Sequence, residues 1–300
     1  MAPSVHNTQP WKVTTEGNKL IILPDESRAL THGDPTGRQT YISRGIFTEA
    51  CIIGLNQVGL TCAEPRLEND NIILETQRGG AKNPTDTQAL NSRFTDRTTY
   101  KKAVISAETI ARLDSSWHSE NVEVVTTDKP ELIKETARLT SQALLLAFSN
   151  PAFREELTDF FVDMPSTSYG IPLSTLGMGK VKAKLVKHLV RSGINRKQES
   201  QTEYKRWLSA SGLVFILASG DSRPYWLESG RAYLRASLEI QKLGLNQATS
   251  AAIVEAADFH EDIERLLGTD KRIESVIRIG RGQKKKAVSG RFSSQELLVT

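Results

Sequence analysis

An internal recurrence restricts the fold of this chain more than any other feature. In the first part, Ile21-Ile22-Leu23 is followed by Asp25-Glu26-Ser27-Arg28, then by Gly45 and a helical pattern closing at Gly59-Leu60. In the second, Phe215-Ile216-Leu217 is followed by Asp221-Ser222-Arg223, then by Gly230 and a helix closing at Gly244-Leu245. Each pair of glycines is separated by fourteen residues, and Ala50 and Ala236 occupy nearly matching places after the first glycine. The ordered recurrence points to two related halves in one chain. Halves of that kind are expected to pair as the subunits of a homodimer do, about a local two-fold axis. The helices ending at Gly59 and Gly244 are then expected to pack near that axis.

The chain opens on a stiff polar loop running from Pro3 through Ser4, Val5, His6, Asn7, Thr8, Gln9 and Pro10 to Trp11. Its two prolines fix φ and bias their predecessors toward extended backbone. Five hydrogen-bonding side chains on a preset backbone serve one of two ends. They satisfy their own turn, or they clasp a planar ligand rich in donors and acceptors.

Periodicity and breakers give the remaining elements. Two strands are expected within 12–23 around a Glu16-Gly17-Asn18 turn. A helix is expected over 38–58, with Ile42, Ile46, Ala50, Ile53 and Leu55 on a broad apolar face and Gly59 beyond its end. Further strands fall at 71–75, 122–126, 213–218 and 273–279, and a linker at 79–86. Further helices fall at 106–117, 130–148, 151–161, 225–243 and 258–267. A looser stretch carries Met164-Pro165, Tyr169-Gly170-Ile171-Pro172, Gly177 and Gly179, and a basic helix over 180–206 follows it.

Composition removes several classes of function. With 300 residues, 38% of them hydrophobic and 25% charged, the chain has the make-up of a globular protein with a large core. The longest apolar run, 213–218, is far too short for a membrane span. No charged n-region precedes an apolar h-region, so a cytoplasmic protein is expected. Cys51 and Cys62 fit two reduced, partly buried thiols. The net charge of +4 is concentrated in Lys180, Lys182, Lys184, Lys187, Arg191, Arg196, Lys197, Lys205 and Arg206. That stretch is either a solvated helix face or a patch drawn to nucleic acid or anionic lipid. Few aromatics are interleaved, which argues against a single-strand stacking platform, and no specific nucleic-acid partner is expected.

Arg93, Thr95 and Arg97 alternate with Phe94 and Asp96, so in extended backbone they share a face. Two guanidinium forks and a hydroxyl suit a phosphate or carboxylate. The competing arrangement is a pair of surface salt bridges with Asp96 as one partner. Lys286, Ser289 and Arg291 form a second basic group. The five histidines, His6, His32, His118, His188 and His260, are dispersed without ligand spacing, so no metal site is expected. No dinucleotide fingerprint, P-loop or nucleophile elbow is present. A bound organic cofactor needs none of them, because it carries the chemistry itself.

Ala2-Pro3-Ser4-x-His6-Asn7-x-Gln9-Pro10-Trp11 resembles the flavin-binding loop of nitroreductase-fold proteins. Asp34-Pro35-x-Gly37-Arg38, Arg93-x-Thr95-Asp96-Arg97, Phe153-Arg154-x-Glu156-Leu157, Gly170-Ile171-Pro172 and Ile277-Arg278-Ile279-Gly280 follow in order. Together they resemble the Acg-type nitroreductase-like flavoproteins over nearly the whole chain. The resemblance implies an α+β fold of mixed, mainly antiparallel sheets flanked by helices. It implies two fused halves, 1–89 and 90–300, intertwined as one internal pseudo-dimer, with a lid at 162–206. It implies FMN, with Arg93, Thr95 and Arg291 on the phosphate and ribityl chain, Ser289 beside them, and Arg97 near the pyrimidine edge. Pro3, Ser4 and Asn7 reach across from the first half, and backbone amides near Thr249, Ser250 and Ala251 approach flavin N5. No side chain is implied as catalytic, since the flavin carries the chemistry. The implied activity is NAD(P)H-dependent reduction of nitro- or quinone-type acceptors, with NADPH or NADH a transient donor; the alternative is a non-enzymatic FMN-sequestering protein. Members usually carry a helix before the Pro-Ser loop, whereas Met1 abuts it here. The second half lacks a loop of its own, having only Asp114-Ser115-Ser116-Trp117, so one FMN per chain and a monomer acting as a pseudo-dimer are expected.

Overall fold

The computed structural model of the chain describes residues 2–162, 168–173, 180–282 and 289–299, with backbone alone for 180–184. β1 (Trp11–Glu16) and β2 (Lys19–Pro24) form the expected hairpin, Glu16 opposite Lys19. Its turn places Gly17 at φ 57, left-handed backbone that glycine adopts without a Cβ penalty. α1 (Arg38–Gln57) follows. The Asp34 carboxylate accepts from the backbone N–H of Gln39 and Thr40 at 3.0 and 2.8 Å, satisfying donors that the first helical turn leaves unpaired. β3 (Leu60–Cys62), β4 (Arg66–Glu68) and β5 (Asn71–Arg78) complete a five-stranded antiparallel sheet of order β1-β2-β5-β3, with β4 on β5. The linker expected over 79–86 is shorter than read. α2 (Pro84–Ser92) starts inside it, with Asn83 accepting from Asp86 N–H and Pro84 at the first helical position, where its missing N–H costs nothing. The boundary expected at 89/90 falls within this helix.

α3 (Ala107–Asp114), β6 (Val122–Thr127), α4 (Pro130–Ala147) and α5 (Pro151–Asp159) lie close to the expected places. β7 (Phe161–Val162) and β8 (Ile171–Pro172) make a short parallel pair. The single basic helix expected over 180–206 is instead two, α6 (Lys180–Ser192) and α7 (Arg196–Leu208). Gly193 breaks it at φ 72, so close to the Arg154 guanidinium that an added Cβ would meet Cζ at 2.8 Å. β9 (Gly212–Ala218), α8 (Arg223–Lys242), β10 (Asn246–Thr249), α9 (Ala252–Glu255), α10 (Phe259–Leu267), β11 (Arg272–Gly280) and α11 (Ser294–Leu297) complete the chain. The second sheet has the order β10-β11-β9-β6 and is antiparallel throughout. Its central strand β9 is buried along its full length, which accounts for its unbroken apolar sequence. The fold is thus α+β with mainly antiparallel sheets, as expected. No helix among the described residues is long and apolar enough to cross a membrane.

The two recurrent helices meet. α1 and α8 cross with Gly45 against Gly230. A Cβ on Gly45 would land on the carbonyl oxygen of Leu227, and one on Gly230 would land on that of Ile42. Each glycine therefore touches the residue three places before the other, a reciprocal contact of the kind a local two-fold axis produces. Ile42, Ile46, Leu227 and Leu234 seal the crossing into the main core. One turn on, Glu49 accepts from Arg231 Nε at 2.9 Å and Arg235 Nε at 2.6 Å.

Candidate functional site

The opening loop is held in unusual backbone. His6, Asn7 and Gln9 lie at φ 46, 57 and 52, each costing about 1 kcal/mol or more for a side chain with a Cβ. The loop's own polar groups hold it there. Ser4 Oγ accepts from Gln9 N–H at 2.9 Å, and Ser43 Oγ on α1 accepts from Val5 N–H at 3.2 Å. Asn7 Nδ2 donates to the carbonyls of Gly170 and Gly290, both at 3.1 Å. Gln9 donates to Ser168 O at 2.8 Å and accepts from Phe292 N–H at 3.1 Å. Segments 168–170 and 290–292 thus anchor the loop.

A cavity of about 610 Å³ opens beneath it. Pro3, Ser4 and His6 line one side, and Gln39, Ser43 and Ile46 of α1 line the next. Thr95 and Arg97 line it as well, with Glu203 and Arg206 of α7, Tyr233 of α8 and Arg278 of β11. The turn from Thr249 through Ser250 and Ala251 also lines it. An apolar cluster, Leu144, Phe148, Phe153, Leu157, Val186 and Val190, forms part of the wall.

Arg93, Arg97 and Arg291 give the site its charge. Asp96 is not their salt-bridge partner. It is buried, accepting from Thr98 N–H at 2.9 Å and from Asn246 Nδ2 at 2.8 Å. Arg278 fixes the same turn, donating to the carbonyls of Asp96 and Thr98 at 3.1 and 3.0 Å. Among the described residues, Arg93 Nε and Nη1 are buried without a hydrogen-bond partner. Burial lowers the pKa of Arg93 and of Arg97. Burial, then the neighbouring charge of Arg93, brings Arg291 down to about 10. Arg291 is partly engaged, donating to Ala2 O at 3.0 Å and Gly290 O at 2.7 Å. Buried like charges with unpaired donors are unfavourable unless an anion joins them. Asn7 adds a buried acceptor, Oδ1, without a partner among the described residues.

The structure therefore puts Pro3, Ser4, Thr95, Arg97, Ser250 and Ala251 on the cavity wall. Arg93, Arg291, Asn7 and Ser289 are not among the residues of the wall, though the charges of Arg97 and Arg291 are near enough to Arg93 to be felt there. Lys286 and the lid portions 163–167 and 174–179 lie outside the described residues. Glu203, Tyr233 and Glu255 were not anticipated as wall residues. They sit on regular helices whose local pattern carries no signal of a ligand. No group of acidic, His or Cys side chains among the described residues can hold a metal.

His6 packs beside Phe153 and Phe160, with ring centroids at 6.4 and 6.0 Å, and its Nδ1 has no partner among the described residues. Burial, then the charge of Arg97, lowers its pKa from 6.5 to about 4. Between those values the unfolded chain binds the proton and the folded chain does not, so stability falls as pH drops through that window. The loss is expected to be about 3 kcal/mol. Denaturant midpoints of the wild type and His6→Gln across the window check this; equal pH slopes would contradict it.

No family model matches the chain. A Mycobacterium tuberculosis protein with the provisional name NAD(P)H nitroreductase acg is 22% identical over 294 residues, covering 93% of this chain and 85% of that protein. A second protein of that organism, also provisionally named an NAD(P)H nitroreductase, is 34% identical over 58 residues, 19% of this chain and 17% of its own. The FMN- and NADPH-dependent nitroreductase NfnB of sphigopyxis sp. strain HMH is 15% identical, with a TM-score of 0.47 over 72% of this chain and 98% of its own. A nitroreductase with bound FMN from Desulfitobacterium hafniense DCB-2 is 11% identical, with a TM-score of 0.43 over the same shares. Over nearly its full length, then, this chain is similar in sequence to the Acg-type nitroreductase-like proteins.

Proposed function

We propose that the chain binds one FMN in this cavity and uses NADPH or NADH to reduce a nitro- or quinone-type acceptor. The observation that carries the reading is the partly buried arginine cluster, with Arg93 Nε and Nη1 buried and lacking partners among the described residues, near a cavity of about 610 Å³. A phosphate supplies the missing acceptors and charge, and the cavity is of the size that organic ligands occupy. When bound, FMN supplies two-electron hydride chemistry. In this reading Arg93 and Arg291 hold the phosphate, with Thr95 on the ribityl chain and Ser289 beside them. Arg97 faces the pyrimidine edge. Pro3, Ser4 and Asn7 close the site from the first half, and the Ser250–Ala251 backbone approaches the ring. The names of the relatives above agree with this activity.

The reciprocal Gly45–Gly230 contact supports two halves, 1–89 and 90–300, acting as an internal pseudo-dimer, so that the monomer carries the whole site. A second reading has the chain sequester FMN without turnover. It is favoured by Val186, Val190, Glu199, Glu203 and Arg206 of the expected lid, which wall the cavity. Anaerobic mixing of the FMN-loaded protein with NADPH or NADH tests both. Rapid bleaching of the flavin band is expected, and bound flavin that stays oxidised would favour sequestration.

A further inference from the structure

Beside the β10–α9 part of the cavity wall, three carboxylates converge on one buried arginine. Arg38 Nη2 donates to both oxygens of Asp221, at 3.0 and 3.1 Å. Arg38 Nη1 lies 3.8 Å from Glu255, and its Nε lies 3.4 Å from Glu274. Glu274 is 0% exposed. Neither of its carboxylate oxygens has a hydrogen-bond partner among the described residues. Its other cation, Arg272 Nε, is 3.8 Å away. Glu255 lies on the cavity wall and accepts from Gln39 Nε2 at 2.9 Å.

The charges facing the pair come from every packed element. Asp34 precedes α1, Arg38 and Gln39 lie on it, Asp221 precedes α8, and Arg272 is on β11. Arg272 is shared with α10, its Nη1 2.8 Å from His260 Nε2. Two guanidinium groups thus face three carboxylates, with Asp34 a fourth nearby. In a buried site such an excess of negative charge is relieved by retaining a proton. Asp221 is half-exposed and held by two charge-assisted hydrogen bonds, so it is the member best able to stay ionised. The proton falls to Glu255 or Glu274. Burial pushes both upward, Glu255 to about 6 and Glu274 to about 7.

We propose that the cluster of Glu255 and Glu274 around Arg38 retains one proton and that Glu255 delivers a proton into the cavity to an acceptor undergoing reduction. Delivery rests on the functional reading above. Reduction of a quinone by NAD(P)H transfers one hydride and consumes one further proton. In this step the Glu255 O–H bond breaks, and its electron pair stays on the carboxylate. A new O–H bond forms on the quinone oxygen. The carboxylate regains its proton from water. Gln39 orients Glu255, and Arg38 keeps the pair together.

Carbon-13 NMR of glutamate-labelled, flavin-free protein tests the retained proton. Two coupled carboxyl titrations are expected between about pH 5 and 8. Glu255→Gln and Glu274→Gln are each expected to leave a single-step titration. Wild-type carboxyls all ionised at pH 5 would overturn the proposal and leave a static ion network. Delivery is tested with FMN-loaded protein and a soluble quinone. Wild-type turnover is expected to fall as pH rises through the Glu255 titration. Glu255→Gln is expected to lose that pH dependence and to run about 100-fold slower, the lower end of general-acid effects. A pH-independent wild type, or an unslowed variant, would overturn delivery. A chain that takes up no FMN overturns the functional reading and delivery with it, while the NMR titration still decides the retained proton.

Discussion

Gly230→Leu is expected to leave no cooperatively folded chain at room temperature. A Cβ at that position lands on the Ile42 carbonyl oxygen, with Ile46 N at 2.9 Å and no flexible side chain to give way. Both obstacles are backbone, so the helices themselves must separate. That opens the core seam of Ile42, Ile46, Leu227 and Leu234 and strains the Glu49 bonds to Arg231 and Arg235. Overpacking that side chains absorb costs about 1–3 kcal/mol. Here the loss is expected to exceed about 4 kcal/mol, a large share of a typical domain's stability. Gly230→Ala is expected to lose about 2–3 kcal/mol by the same mechanism. Urea unfolding checks both, and a wild-type midpoint for Gly230→Ala would contradict the close crossing.

Arg93→Met is expected to weaken FMN binding by about 1.5–3 kcal/mol, roughly ten- to 150-fold. Arg291→Ala is expected to do the same. The two residues interact, so the double variant is expected to lose less than the sum. A structural arginine and a ligand-binding one separate on a second readout. Because two buried nitrogens of Arg93 lack partners among the described residues, Arg93→Met is expected to leave the cofactor-free chain at least as stable as the wild type. Sites built for a ligand are often relieved by such a change. Lost stability with unchanged FMN affinity would assign Arg93 to the scaffold.

What the sequence discloses here depends on how far each signal reaches along the chain. The hairpin of β1 and β2, the helices α1 and α8 and the alternation of Arg93, Thr95 and Arg97 are local patterns, and all were legible. Gly193 carries no signal of a break, since one glycine in a helical pattern is compatible with a continuous helix. α9 is too short for a period to show. Asn7 and Gln9 were legible as polar loop residues, but their partners lie near residues 170 and 290. No local pattern carries that distance. α1 was read by its apolar face, yet Arg38, Arg44 and Glu49 are buried as well, because the rest of the chain packs around the helix. Glu274 reads as an ordinary strand residue. The register of β11 against β9 shifts between Ile273 and Ser275, and a bulge of that kind re-aims a side chain.

The central claim is that the arginine cluster and the opening loop enclose FMN. Fluorescence titration of FMN into the flavin-free chain tests it most directly. Quenching is expected to saturate at one FMN per chain, with a shallower, weaker curve for Arg93→Met. A chain that leaves flavin fluorescence unchanged and stays colourless after exposure to excess FMN contradicts it.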